Sequence, residues 1–105
     1  MLSIQTINSP SRGIFSILSR KILDNGVKER IEDGSFESIG LIQGHLAEIL
    51  VAGDIAQKAS AVEITEITGL CPQHVVMIGV FGDTASVAEA LKAVRGWTKT
   101  SASMA

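Results

Sequence analysis

The spacing of apolar residues in the first third of the chain changes from a period of two to a helical period. Residues 2–6 alternate apolar and polar side chains before the turn residues 8–10, which predicts a half-buried strand that ends at a proline. Apolar side chains then recur at helical spacing, with Ser11 as the N-cap and Gly26 as the stop, which predicts a helix. The charged, turn-rich segment Val27–Phe36 predicts an exposed connection.

The middle of the chain shows the same change of period. Ser38–Gly44 predicts a second strand, and residues 46–61, with small residues on one face, predict a helix that lies close to a sheet. Val62–Ile67 predicts a third strand. The segment Val75–Phe81 is apolar at nearly every position, as is typical of a central strand with both faces covered, or with one face in a subunit contact.

The last helix is predicted to start at an Asp83 cap, to cover residues 86–95 and to end at Gly96. Residues 98–105 are small and polar, which predicts a flexible tail. The 105 residues are the length of one domain. We therefore expect a single α+β domain over residues 1–105, with helices packed on one side of a four-stranded antiparallel sheet.

Such a sheet leaves one face and two edges to be covered. The unbroken apolar run of residues 75–81 is more apolar surface than one small domain needs, which favours a homo-oligomer. The pattern is equally consistent with residues that fill the core of a monomer.

Composition and charge exclude several functional classes. A net charge of -2, without a basic stripe, gives no electrostatic footprint for nucleic acid or for an anionic membrane. No apolar run approaches the roughly 18 residues that span a bilayer, and the first residues do not resemble a signal peptide. We expect a soluble, cytoplasmic protein. No Ser/His/Asp or Cys/His arrangement is supported.

The elements SIGLI, AGDIAQKASAV and VVMIGVFGDTASVAEALKAV resemble the bacterial microcompartment (BMC) shell-protein domain over about two-thirds of the chain. The order of elements is similar to the circularly permuted, ferredoxin-like version of that domain, in which a strand and helix come first. Permutation is tolerated because the chain ends of a domain lie close together at its surface. The resemblance implies a homohexameric tile that packs with other shell proteins into a microcompartment wall.

The resemblance also implies roles for particular residues. The loop TGLCPQH, with Gly69, Leu70, Cys71, Pro72, Gln73 and His74, matches the loop that lines the axial pore. Lys58 matches the lysine at the hexamer edge, and Asp83 matches the aspartate of a family Arg-Gly-Asp turn. Phe81 stands where that arginine would be, so the lateral contact of the arginine is not expected here.

The Cys-Pro pair in this loop resembles the divergent shell protein of glycyl-radical propanediol-type microcompartments, which holds an iron-sulfur cluster in its pore. A [4Fe–4S] cluster takes four thiolates, whereas the chain has one cysteine, Cys71. A rotation axis would bring copies of Cys71 together. Pro72 would stiffen the loop, Gly69 would let the backbone turn toward the axis, and Gln73 or His74 would add a ligand or a hydrogen bond.

Each of these residues also has a simpler interpretation. A lone cysteine is commonly a small buried apolar residue. In a pore, the alternative to a cluster is that Cys71 is a free thiol and the pore conducts a metabolite. On the residues alone, Lys58 is an exposed helix lysine. His45 and His74 are surface or capping residues and not zinc ligands, and Glu63 and Glu66 are solvated strand residues and not catalytic ones. The further alternative is a ferredoxin-like oligomer that senses a small ligand between its subunits.

Overall fold

The structure is a computed structural model that describes residues 2–34, 36–69 and 75–104, the last five of these by backbone alone. Within these ranges, four strands and four helices follow one another in the order β1 (Ser3–Asn8), α1 (Arg12–Lys21), α2 (Asn25–Glu32), β2 (Ser38–His45), α3 (Leu46–Ala59), β3 (Glu63–Ile67), β4 (Val75–Gly82) and α4 (Thr84–Met104).

The strands form one antiparallel sheet in the order β1-β2-β4-β3. The prediction of an α+β fold with a four-stranded antiparallel sheet is confirmed, and β4 is central, as its apolar run predicts. The register pairs Ile39 of β2 with Phe81 of β4. This pairing places both side chains on the same face of the sheet.

Helices cover both faces of the sheet, so the prediction of helices on one side is wrong. Alternate residues of β4 enter two separate cores: Ile78 and Val80 pack with α3 and α4, whereas Phe81 packs with α1 and α2. Residues 78–81 of the run are apolar because both faces of β4 are buried there within one chain, whereas residues 75–77 are half-buried. The composition of residues 78–81 therefore gives no separate argument for an oligomer.

The helix α2 lies where an exposed connection was expected. Asp24 caps it, accepting a hydrogen bond from the Val27 amide at 3.1 Å, and its buried residues Val27 and Ile31 are one turn apart. Because the charged residues between them occupy the solvent face, the segment is polar on average although one face packs on the sheet. The preceding helix ends at Lys21, and Gly26 lies inside α2.

The helix α4 continues through Gly96 to Met104, so the predicted end at Gly96 is wrong. A mid-helix glycine costs only about 1 kcal/mol, and Trp97, one residue later, packs against the core formed with α3. The flexibility of residues 98–105 stays a prediction. Within the described ranges, no helix has both the length and the apolar character needed to cross a membrane.

Candidate functional site

The candidate loop connects β3 to β4. Leu70, Cys71, Pro72, Gln73 and His74 lie outside the described residues, so their roles stay predictions. Gly69 is described and exposed. Its φ is not in the left-handed region, and a Cβ added to it would meet nothing within 4 Å, so local sterics do not demand glycine there.

The two ends of the loop are held differently. On the β4 side, Val75 and Val76 pair with His45 and Gly44 of β2. On the β3 side, the ladder with β4 stops at the Ile67–Met77 pair.

Beyond the end of this ladder, the amide and the hydroxyl of Thr68 both donate hydrogen bonds to the backbone carbonyl of Lys21, each at 2.8 Å. Lys21 is the last residue of α1. The loop therefore leaves the sheet from a point attached to the N-terminal helix.

A groove of about 600 Å³ lies beside this attachment, between α1 and the uncovered end of the sheet. Its floor includes Leu41, Gln43 and Met77, and α1 contributes Leu18 and Lys21. Because α1 and α2 cover Ile39 and Phe81 but stop short of Gln43, no described helix covers this end of the sheet face. Gly69 and Val75, the described residues that flank the loop, line the groove.

The two predicted edge residues come from one corner of the domain. Lys58 lies in the last turn of α3 with 76% of its side chain exposed, and its Nζ is 2.8 Å from a carboxylate oxygen of Asp54. Asp83 is exposed directly before α4. The Ser60 hydroxyl donates to the Ser86 carbonyl at 2.6 Å, which joins the end of α3 to the start of α4.

Asp83 caps α4. One carboxylate oxygen accepts the Ser86 amide at 2.8 Å, and the other accepts the Ser86 hydroxyl at 3.1 Å. The backbone hydrogen bond from Ser86 is the main cause that holds the pKa of Asp83 below its ordinary value of 3.8, and the Ser86 hydroxyl adds to it. The carboxylate therefore has a local structural role that does not depend on any neighbouring molecule.

The capping role predicts a pH-dependent contribution to stability. Because the folded-state pKa of Asp83 is lowered, its stabilisation is complete above pH 3.8 and is lost as the pH falls through the lower, folded pKa. Asp83→Asn keeps the capping oxygen but loses the charge, so it should unfold at a lower temperature than wild type near neutral pH. The difference should shrink below the ordinary pKa in thermal unfolding followed by circular dichroism.

Ser86→Ala is the matched control, because it removes the hydroxyl donor and leaves the backbone amide in place. Ser86→Ala should lower the melting temperature by less than Asp83→Asn does. Its difference from wild type should shrink over the same pH range. A melting difference for Asp83→Asn that stays constant down to pH 2 would contradict the assignment of the lowered pKa to this cap.

Phe81 belongs to the core of the domain. Its side chain is fully buried, and its ring centroid lies 5.3 Å from that of Phe36. A Cβ on Gly79 would lie 2.5 Å from Cε2 of Phe81, so the ring lies over a position that only glycine can occupy. The effect of this phenylalanine on lateral packing stays a prediction.

Two polar residues near the surface have ionic partners. Glu63 forms an ion pair with Arg30 of α2 and is half-buried, so it is not fully solvated as predicted, whereas Glu66 is exposed as predicted. The guanidinium of Arg30 also lies 5.2 Å from the centroid of the Phe36 ring. His45 directly precedes α3, with Nδ1 at 3.6 Å from a Glu48 carboxylate oxygen, and makes no side-chain capping bond.

The described residues hold no group of three or more His, Cys, Asp or Glu side chains that would bind a metal ion. A cluster bound by this protein would therefore need Cys71, and since there is one cysteine in the chain, it would need several copies. The donor chemistry of a thiolate fits an iron-sulfur cluster. Its geometry rests on residues outside the described ranges.

Comparison with known proteins gives one family. Residues 38–103 match the BMC domain. The ligand-free GrpU microcompartment shell protein from Pectobacterium wasabiae is similar at 26% identity and a TM-score of 0.67, over 89% of this chain and 99% of that one. The ligand-free GrpU shell protein from Clostridiales bacterium 1_7_47FAA is similar at 30% identity and a TM-score of 0.64, over 91% and 94%.

A more distant structure shares the fold alone. The trimeric shell protein PduB is 22% identical with a TM-score of 0.54, over 90% of this chain and 38% of that one. No curated protein matches the sequence.

Proposed function

Because the chain belongs to the BMC-domain family of microcompartment shell proteins, we propose that it is a homohexameric tile of a shell and not an enzyme. The observation that carries the proposal is the match of residues 38–103, together with agreement over nearly the whole length of two microcompartment shell proteins. The tile assembles with other shell proteins around enzymes in the bacterial cytoplasm.

The arrangement of β1 supports circular permutation. The family match begins at residue 38, the first residue of β2, and leaves β1 outside it. Yet β1 pairs with β2 along its full length, from Ser3 with Gln43 to Asn8 with Ser38. The N-terminal strand thus completes the sheet that the matched segment leaves with three strands.

The second part of the proposal concerns the loop of Cys71. In a hexamer whose pore is lined by this loop, several copies of the thiol face one small volume, and tethering raises their effective concentration to about the millimolar range. Cys71 from four subunits would hold a [4Fe–4S] cluster, and the remaining subunits would be left unligated. When bound, such a cluster supplies one-electron transfer, which suits passage of electrons across the shell.

The test of the tile is its size and its behaviour at high concentration. Light scattering coupled to size exclusion should give the mass of a hexamer, and electron microscopy of concentrated protein should show hexagonal sheets or tubes. A monomer or dimer at micromolar concentration would contradict the proposal and would favour a small ligand-sensing module.

Replacement of Lys58 by alanine should abolish sheets and tubes and leave the hexamer intact. The lysine is exposed at the end of α3, and its only described ion pair is with Asp54 on the same helix. Exposed pairs of this kind contribute about 0–1 kcal/mol, so the fold should be unaffected. Electron microscopy would measure assembly, and size exclusion would measure the hexamer.

Asp54→Ala provides the matched control, since it breaks the same ion pair but keeps the lysine. Sheets should persist in this variant. If both variants lost assembly equally, the ion pair would be the cause and not an edge contact of the lysine. Normal sheets in Lys58→Ala would contradict the edge role of the lysine altogether.

A further inference from the structure

The side of the domain at the β3 edge of the sheet is apolar. Leu46 and Leu50 of α3 are one helical turn apart, and they are 56% and 65% exposed. Gln57, two turns further along the same side of the helix, lines a small cavity with Ile64 of β3. Leu46 and Leu50 therefore lie on the side of α3 that is toward the β3 edge.

Glu66 adds a carboxylate to this side. Ile64 packs on the core under α3, so Glu66, two residues later on β3, lies on the same face of the sheet, and it is exposed. A Cβ added to Gly53 would lie 3.2 Å from the side chain of Ile78, the strand partner of Glu66. Leu50 precedes Gly53 by about one turn, so it lies near the level of Glu66 along the strands. The β3-edge flank consists of Leu46, Leu50 and Glu66.

The opposite side, at the β1 edge, carries Arg95 of α4. At the start of this helix, the Thr84 hydroxyl lies 2.8 Å from that of Ser38, which donates a hydrogen bond to Asn8 of β1 at 2.9 Å. Arg95 follows Thr84 by eleven residues, or three turns, so both lie on the side of α4 toward β1. Arg95 is exposed, and neither it nor Glu66 has an ionic partner among the described residues.

Glu66 stands at one end of a row of residues that crosses the whole sheet. It pairs with Ile78, Ile78 pairs with Ile42, and Ile42 pairs with Ile4 of β1. The three isoleucines pack on the core formed with α3 and α4, so the row lies on the face that these helices cover. Its two ends, Glu66 and Ile4, are therefore on the same face, at the same level along the strands and at opposite edges.

Arg95 lies close to the β1 end of this row. A Cβ added to Gly40 would lie 3.0 Å from the Leu91 side chain, so Leu91 packs over Gly40. The helix α4 starts beside Ser38 and thus runs in the direction of β2. From Leu91 to Arg95 it advances about 6 Å. From Gly40 to Ile42, β2 advances about 7 Å, so Arg95 lies at the level of the row. The β1-edge flank consists of Ile4 and Arg95.

The opposite charges and the matched level of the two flanks point to a second copy of this chain as their partner. In a ring of identical subunits, each subunit presents two different surfaces, which lie at the same height and at the same distance from the axis. We propose that the β3-edge flank of one copy packs on the β1-edge flank of the next copy, with Glu66 paired to Arg95. One such contact covers an exposed strand edge of both chains. Closure into a ring of six rests on the proposed function, whereas the complementarity of the flanks does not.

The test reverses each charge alone and then both together. Glu66→Arg and Arg95→Glu each place like charges across the contact, so the concentration at which half of the hexamers dissociate should rise at least about tenfold in analytical ultracentrifugation. The double variant restores opposite charges and should behave like wild type. Glu89→Arg is the matched control, because Glu89 is exposed on α4 outside both flanks and its replacement changes the net charge as Glu66→Arg does. The control should dissociate like wild type.

An equal mixture of the two single variants shows whether the pair joins different chains. Glu66→Arg chains are positive on both flanks, and Arg95→Glu chains are negative on both. Rings in which the two kinds of chain alternate regain every ion pair. The mixture should therefore form hexamers at concentrations where neither variant alone does.

Each outcome decides the contact. Wild-type dissociation of both single variants would overturn it, and so would equal weakening by Glu89→Arg. Dissociation that neither the double variant nor the mixture reverses would also overturn it, because the two charges would then not face each other. Circular dichroism melting of each single variant separates dissociation from unfolding. A wild-type ring of another size would contradict only the hexamer, since the same charge reversals would still decide the contact, whereas a wild-type monomer would contradict both.

Discussion

Replacing Cys71 with serine is expected to remove all iron and sulfide from anaerobically purified protein while the hexamer stays intact. Cys71 is the only thiol in the chain, and the described residues offer no other group of metal ligands. A serine hydroxyl does not replace the thiolates that hold iron-sulfur clusters. The visible spectrum, iron and sulfide assays and size exclusion would measure the outcome.

Hexamers that contain both wild-type and Cys71→Ser chains provide a second test of ligation by several subunits. If a cluster needs four of six thiolates, an equal mixture of wild-type and Cys71→Ser chains leaves about a third of the rings with enough ligands, and iron falls faster than the wild-type fraction. A strictly proportional fall would contradict ligation by several subunits. Colourless wild-type protein, identical to Cys71→Ser, would favour a metal-free tile that conducts a metabolite.

The strands could be predicted from the sequence because their signals are local. A strand with one covered face alternates apolar and polar residues, as in residues 2–6, and a strand with two covered faces is a continuous apolar run, as in residues 75–81. The pattern does not tell which element covers each face. The continuous run of β4 is compatible with a subunit contact and with a second helical layer, and the second layer is what the structure contains.

Helix α2 was missed because two apolar residues are a weak signal. Val27 and Ile31 are separated by charged side chains, and Gly26 resembles a stop. What identifies the helix is the burial of both residues against β2 and β4, together with the Asp24 cap. Tertiary packing supplies the stability that local propensity lacks.

The candidate site was predicted only in part. The cap formed by Asp83 follows from residue type and position, and the exposure of Lys58 follows from its place on an amphipathic helix. The attachment of Thr68 to Lys21 joins residues 47 positions apart, and the pair of Arg30 with Glu63 spans 33 positions. Such long-range contacts have no local pattern in the sequence.

Phe81→Ala is expected to destabilise the domain by about 3–5 kcal/mol, the range for a large aromatic residue removed from a core. Its ring is fully buried, lies on Gly79 and contacts Phe36. Thermal and urea unfolding should be compared at equal protein concentration, because association of folded chains adds to apparent stability.

Met77→Ala is the matched control for this truncation, since Met77 is on the same strand and the same face but only half-buried. It should cost clearly less than Phe81→Ala. A smaller loss for Phe81→Ala than for Met77→Ala would contradict the core role. If Phe81→Ala instead kept its stability but lost hexagonal sheets, the ring would face a neighbouring tile, and the position would have kept the lateral function of the family arginine by apolar contact.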